Sequence, residues 1–157
     1  MHLKHSIVAA AVVSAAVPAG LLSAGAGASI ARTADDAIAH AAKAPTVALR
    51  KTRLGKVLVV GASGRTLYLF EGDGKNKSNC TGECAAVWPP LMVTGRPSAG
   101  RGASRSKIGE IKRGHGHQVT YAGHPLYTFE SDSRAGQTSG ENVSDFFVVS
   151  ASGKAIK

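Results

Sequence analysis

The decapeptide Gly64-Arg-Thr-Leu-Tyr-Leu-Phe-Glu-Gly-Asp73 returns as Gly123-His-Pro-Leu-Tyr-Thr-Phe-Glu-Ser-Asp132, with Gly, Leu, Tyr, Phe, Glu and Asp unchanged. A second anchor follows each copy. Leu67, Tyr68 and Phe70 map onto Leu126, Tyr127 and Phe129 at an offset of 59, and Trp88 and Gly95 map onto Phe146 and Gly153 at an offset of 58. Two anchors at a near-constant offset mean that the chain repeats a structural unit rather than one short motif. Two copies are too few for a solenoid, whose inner repeats need neighbours on both sides. The expected fold is therefore a mainly β domain in which two similar, hairpin-containing repeats pack about a pseudo-twofold axis and share one core.

The local pattern agrees. Leu54 to Val60 is a β-branched run of strand length. Gly61-Ala-Ser-Gly64 is a turn signal, and from Arg65 to Phe70 the chain alternates, with Leu67 and Leu69 on one side and Thr66, Tyr68 and Phe70 on the other. These two strands are expected to pair as a hairpin. In the second copy, Val119 to Tyr121 and His124 to Phe129 make the matching hairpin, preceded by a strand over Ile108–Arg113 and a turn over Gly114–His117. Glu83 to Trp88 predicts a short helical turn, ended by Pro89-Pro90. Leu91 to Thr94 and Phe146 to Ser150 are further strands, and the basic Gly/Pro/Ser/Arg stretch from Gly95 to Lys107 reads as a mobile insert. Repeat one is placed at about residues 54–95 and repeat two at about 119–153.

The N-terminus has a different character. A short basic start with Lys4 leads into an apolar run from Ile7 to Leu22, then into small residues with an Ala26-Gly-Ala28 pattern. That is the layout of a cleaved secretory signal over residues 1–28. The apolar run is short for a membrane-spanning helix, and no later run is long enough. Residues 29–52 read as an Ala-rich tether, with the first β-forming residues near Val47 and the repeat domain over 53–157. The two cysteines, Cys80 and Cys84, are expected to form a disulfide in an exported chain. So small a ring stabilises by only about 2 kcal/mol through unfolded-state entropy, so it serves mainly to shape a loop.

The whole chain carries a net charge of +9. In an exported protein this favours anionic partners such as acidic wall polymers, phospholipid head groups or acidic glycans. Nucleic acid is excluded by the exported address and the lack of a recognition motif. No nucleophile elbow, phosphate loop or dinucleotide fingerprint is present, and no cofactor is implied.

The remaining chemistry candidates each have a structural counterpart. Tyr68/Phe70 and Tyr127/Phe129 are either cross-strand core pairs or, with Trp88, an aromatic platform for a flat ligand such as a sugar. Asp73 and Asp132 are either turn caps or the paired carboxylates of a small glycan hydrolase. His115, His117 and His124 are weak candidates for copper or zinc, and Cys80/Cys84 for redox work. In each case packing, turn or solvated-loop roles are the expected ones.

The Tyr-x-Phe-x-x-Asp motifs at Tyr68 and Tyr127, the segment from Cys80 to Leu91 and the closing Phe146-Phe-Val-Val-Ser-Ala-Ser-Gly-Lys154 together resemble the bacterial "secreted repeat of unknown function" lipoprotein family. The resemblance spans roughly Leu54 to Ile156. It implies a duplicated fold and an extracytoplasmic address, and carries no catalytic residues with it. This chain has no lipid-anchoring Cys after the expected signal, and has Phe146-Phe147 where the family commonly has Trp-Tyr. The resulting expectation is a soluble, exported, non-enzymatic envelope or extracellular module. The alternatives are a glycan hydrolase using Asp73 and Asp132 and a metal or redox carrier.

Overall fold

The structure, a computed structural model, describes residues 46–157. The expected signal over 1–28 and the tether as far as residue 45 lie outside the described residues. The elements run β1 (Val47–Thr52), β2 (Gly55–Val60), β3 (Tyr68–Phe70), α1 (Glu83–Val87), β4 (Met92–Val93), β5 (Ile108–Arg113), β6 (Gly116–Tyr121), β7 (His124–Pro125) and β8 (Phe146–Val148), with a 3-10 turn at Arg105–Lys107 before β5. All the strand ladders are antiparallel.

Each repeat opens with a tight hairpin. β1 and β2 pair from Val47↔Val60 to Thr52↔Gly55, and β5 and β6 from Ile108↔Tyr121 to Arg113↔Gly116. The first turn is closed by Thr52, whose hydroxyl donates to Gly55 O and accepts from Leu54 N. This corrects two boundaries. Val47–Thr52 is a strand of the domain rather than the end of a tether, because its alternating Val47 and Leu49 are needed against the core. His117 lies within β6, the turn being only Gly114-His115. The expected pairing of Val57–Val60 with the Arg65–Phe70 segment survives at its start, where Val60 N donates to Arg65 O and Leu67 N to Leu58 O. Beyond that, β3 leaves β2 and pairs with β8.

The repeats are interwoven. Tyr68 and Tyr127 face each other as an antiparallel bridge, each amide donating to the other's carbonyl at 2.9 and 3.0 Å. About this point the two halves exchange their last strands. Leu58 N, in repeat one, donates to Val149 O at the end of repeat two, and Val119 N, in repeat two, donates to Leu91 O at the end of repeat one, at 2.8 and 2.9 Å. Each hairpin is thus completed by a strand from the other copy, and neither repeat can close its own sheet.

The strand parity sorts the apolar side chains into two layers. Val47, Leu58, Leu67, Leu69, Val119, Tyr121, Leu126 and Val149 form an aliphatic core. Val57, Val59, Tyr68, Cys80, Trp88, Tyr127, Phe146 and Val148 form an aromatic one on the other face. β2 serves both, with Leu58 on one side and Val57 and Val59 on the other, which is why its apolar run is continuous.

The basic segment read as a mobile insert is instead docked. Val47 N donates to Ser98 O, Gly100 N to Val47 O and Leu49 N to Arg101 O, so residues 98–101 cover the outer edge of β1. That gives the edge groups partners they would otherwise have to find in water or in another chain. Gly102, at φ +79°, permits the close pass; a Cβ there would lie 2.9 Å from Leu49 Cδ1. Of the matching amides of β5, Ile108 N donates to Arg105 O, while those of Glu110 and Lys112 have no such backbone acceptor among the described residues.

Candidate functional site

The residues singled out in the sequence converge on the pseudo-twofold axis. Trp88, at the C-terminal end of α1, stacks on its repeat equivalent Phe146 with ring centroids 3.9 Å apart and planes 3° apart. Phe129 stacks on the outer face of Trp88 at 4.5 Å, and Phe70 on Phe146 at 4.5 Å. Tyr68 meets Trp88 edge-on at 5.2 Å, and Tyr127 meets Phe146 edge-on at 5.4 Å. Exchanging the repeats exchanges these pairs one for one. Tyr68 and Tyr127 are 0 % exposed and Trp88 is 2 % exposed. The ligand platform suggested for Tyr68, Tyr127 and Trp88 is therefore corrected: their ring faces are covered by one another, and this is the core. Gly140 lets its loop lie over Trp88, since a Cβ there would come 2.6 Å from the indole.

The two aspartates are placed by the same symmetry. Tyr68 Oη donates to Asp132 Oδ2 and Tyr127 Oη to Asp73 Oδ2, both at 2.6 Å. The other carboxylate oxygens accept loop amides, Asn79 N to Asp73 Oδ1 at 2.7 Å and Ser139 N to Asp132 Oδ1 at 3.0 Å. Each aspartate therefore ties down the loop that follows it and reaches across to the tyrosine of the other repeat. Asp132 is 2 % exposed. A hydrolytic pair needs two carboxyl groups open to substrate, so Asp73 and Asp132 are corrected to structural anchors. The turn-cap role alone was visible in the sequence. The tyrosine partners were missed, although the joint retention of Tyr and Asp at a fixed spacing in both copies was a usable signal.

Burial, followed by the bond to Asp73, pushes the Tyr127 phenol up from its ordinary 10.0 to about 12. Burial and then the bond to Asp132 raise Tyr68 further. A phenol whose folded pKa lies above its unfolded one contributes stability that is complete below the unfolded value and lost as pH rises through the folded value. Stability should accordingly hold up to about pH 10 and fall between about pH 10 and 12, as denaturant midpoints measured across that range will show. The Tyr68→Phe/Tyr127→Phe double variant should be less stable at neutral pH and show a shallower alkaline slope; an unchanged slope would contradict this account.

Cys80 and Cys84 are joined as expected, and Cys80 is 1 % exposed within the aromatic core. Arg113 braces this loop, with its guanidinium donating to Cys80 O, to Ser78 Oγ at 2.6 Å and to Gln118 Oε1 at 2.8 Å. Ser78 in turn shares a hydrogen with the Tyr127 hydroxyl at 2.7 Å. Arg65 Nη2 donates to Phe129 O, while its Nε is buried without an acceptor among the described residues. His115 lies in the β5–β6 turn, His117 opposite Lys112 and His124 opposite Tyr121. Among the described residues no three His, Cys, Asp or Glu side chains are grouped so as to hold a metal ion.

Two surface clefts are lined by basic side chains. Arg53 and Arg134 line an open cleft of about 480 Å³ together with residues 135–139. A smaller cleft of about 230 Å³ is lined by Lys77, Lys112 and Arg113 with Asn76, Ser78 and Thr81. Among the described residues one ion pair occurs, Lys157 with Glu71.

A duplicated, interwoven antiparallel β domain with an aromatic axis defines the class. The family described as "secreted repeat of unknown function" matches the chain twice, over residues 49–92 and 109–149, and the chain belongs to that family. Its two matches begin within β1 and β5, so the family unit includes the opening hairpin strands that the residue pattern alone left out of both copies. No curated protein and no solved structure matches the chain. Among the described residues no helix is long and apolar enough to cross a membrane.

Proposed function

We propose that this protein is a non-enzymatic module of the cell envelope or extracellular space that binds anionic envelope material such as acidic wall polymers or glycans. The observation that carries the reading is the state of the charges. The net charge is +9, and the cations of the described residues are left almost wholly without carboxylate partners. Like charges left unpaired on a compact domain cost self-repulsion and project a positive field that attracts polyanions. The family description, a secreted repeat, fits an address where such polymers are found. The carboxylates that a hydrolase would use are engaged in holding the fold.

Binding of this kind depends on salt. The protein should sediment with an insoluble anionic wall polymer at about 10 mM salt and be released well before about 1 M, because the screening length falls from about 30 Å to about 3 Å over that range. Absence of sedimentation at the low-salt end would remove the reading.

A further inference from the structure

The two cationic clefts are related by the same pseudo-twofold that relates the aromatic rings. The larger takes Arg53 from the β1–β2 turn of repeat one and Arg134 from the loop after the tyrosine motif of repeat two. The smaller takes Lys112 and Arg113 from the β5 end of repeat two and Lys77 from the loop after the tyrosine motif of repeat one. Each cleft is thus built from one hairpin and the other copy's loop, and neither is lined by an acidic residue.

The larger cleft is also held in shape. Gln137 Oε1 accepts Ser133 N and Arg134 N at 3.1 and 3.2 Å, and its Nε2 donates to Ser139 Oγ at 2.8 Å. Gly136 N donates to Gly64 O at 2.9 Å, and Thr66 Oγ1 to Gln137 O. The loop carrying Arg134 is therefore fixed against the sheet before any ligand arrives. The Arg50 stem lies against Gly136, so a third guanidinium stands beside the same loop. None of Arg50, Arg53 and Arg134 is paired with a carboxylate among the described residues. Unpaired guanidinium groups, one of them carried on a held loop, suit anionic oxygens, which they bind through paired N–H donors.

We propose that the two clefts are paired subsites that take anionic groups, phosphate or carboxylate, at separate points along one polymer chain. The proposal rests on the polyanion reading above and adds to it a location and a valence. Two subsites on one rigid domain bind a long polymer more tightly than a short one, because engagement of the second is intramolecular.

Calorimetric titration at low salt with short and long polyphosphate, and with polygalacturonate as the carboxylate source, tests this. Long chains of at least one of the two polymers should bind about tenfold or more tighter than short polyphosphate at equal concentration of charged groups. Arg53→Ala/Arg134→Ala should remove that advantage, as should Lys77→Ala/Lys112→Ala. All four residues are exposed, so melting temperature should not move. Arg96→Ala/Arg105→Ala removes the same charge from exposed positions that line neither cleft, and should change affinity less than about threefold. Cleft-dependent binding of polyphosphate alone, polygalacturonate alone, or both supports the subsites and names the source. Equal losses from the control and the cleft variants, or no advantage of long chains, overturn the subsites while leaving diffuse polyanion binding in place. A parent protein that binds neither polymer overturns both readings.

Discussion

Trp88→Ala is expected to cost about 3–5 kcal/mol of folding stability. The indole is 2 % exposed and is flanked on both faces, by Phe146 at 3.9 Å and Phe129 at 4.5 Å, with Tyr68 at its edge. Truncation leaves a void at the point where the two repeats meet, and collapse into it is limited because Phe146 stays stacked on Phe70 and Tyr68 stays bonded to Asp132. The loss is a large fraction of the stability margin of about 5–15 kcal/mol usual for a domain, so the variant should unfold at far lower denaturant concentration or fail to accumulate. Val87→Ala, one residue away but 37 % exposed, should change stability by no more than about 0.5 kcal/mol. Chemical denaturation followed by circular dichroism separates the two. A Trp88→Ala loss under about 1 kcal/mol would mean that the aromatic axis is not what joins the halves.

The second large effect concerns the aspartates, and it is unequal. Asp132→Ala removes the acceptor of the Tyr68 hydroxyl and of Ser139 N in a site that is 2 % exposed, leaving a buried phenol without an acceptor. About 3 kcal/mol is expected. Asp73→Ala removes the equivalent bonds in repeat one, but Asp73 is only half-buried and the Tyr127 hydroxyl keeps Ser78 as a partner at 2.7 Å. About 1 kcal/mol is expected there. A double-mutant cycle of Tyr68→Phe with Asp132→Ala should return a coupling of at least about 1 kcal/mol. Equal losses at the two aspartates would show that burial does not set the difference, and a coupling near zero would show that the hydroxyl–carboxylate contact is incidental.

Much of this arrangement can be read in the residues, and the limits of that reading have one cause. Alternation over Arg65–Phe70 placed Leu67 and Leu69 opposite Tyr68 and Phe70, and the two groups do pack in different cores. Pro89-Pro90 ended a helical turn at the expected place, and a single pair of cysteines in a chain expected to be exported pointed to the Cys80–Cys84 bond. Each of these depends on neighbours within a few residues or on a count over the whole chain. The docking of residues 98–101 on β1 did not follow from composition, because a Gly/Pro/Ser/Arg stretch has no periodicity to say that its backbone groups have partners about fifty residues back. For the same reason the sequence reads Val47–Thr52 as the end of a tether: its β pattern is short, and what makes it a strand of the domain is its pairing with β2 and with residues 98–101.

The repeated decapeptide by itself determined that the protein is a mainly β domain of two like units, because two copies with the same hydrophobic parity must solve the same packing problem. It also determined which rings would be equivalent, since Trp88 and Phe146 stand at nearly the same offset as Tyr68 and Tyr127. Only the tertiary structure decided that the equivalent residues meet rather than lie apart in separate halves. The exchange of the last strands brings Tyr68 to Asp132 across 64 residues and Tyr127 to Asp73 across 54. It also sets Arg53 beside Arg134 and Lys77 beside Lys112. Contacts at such separations are fixed by which sheet edge remains open when both hairpins have formed, and that is a property of the closed fold rather than of any local run of residues.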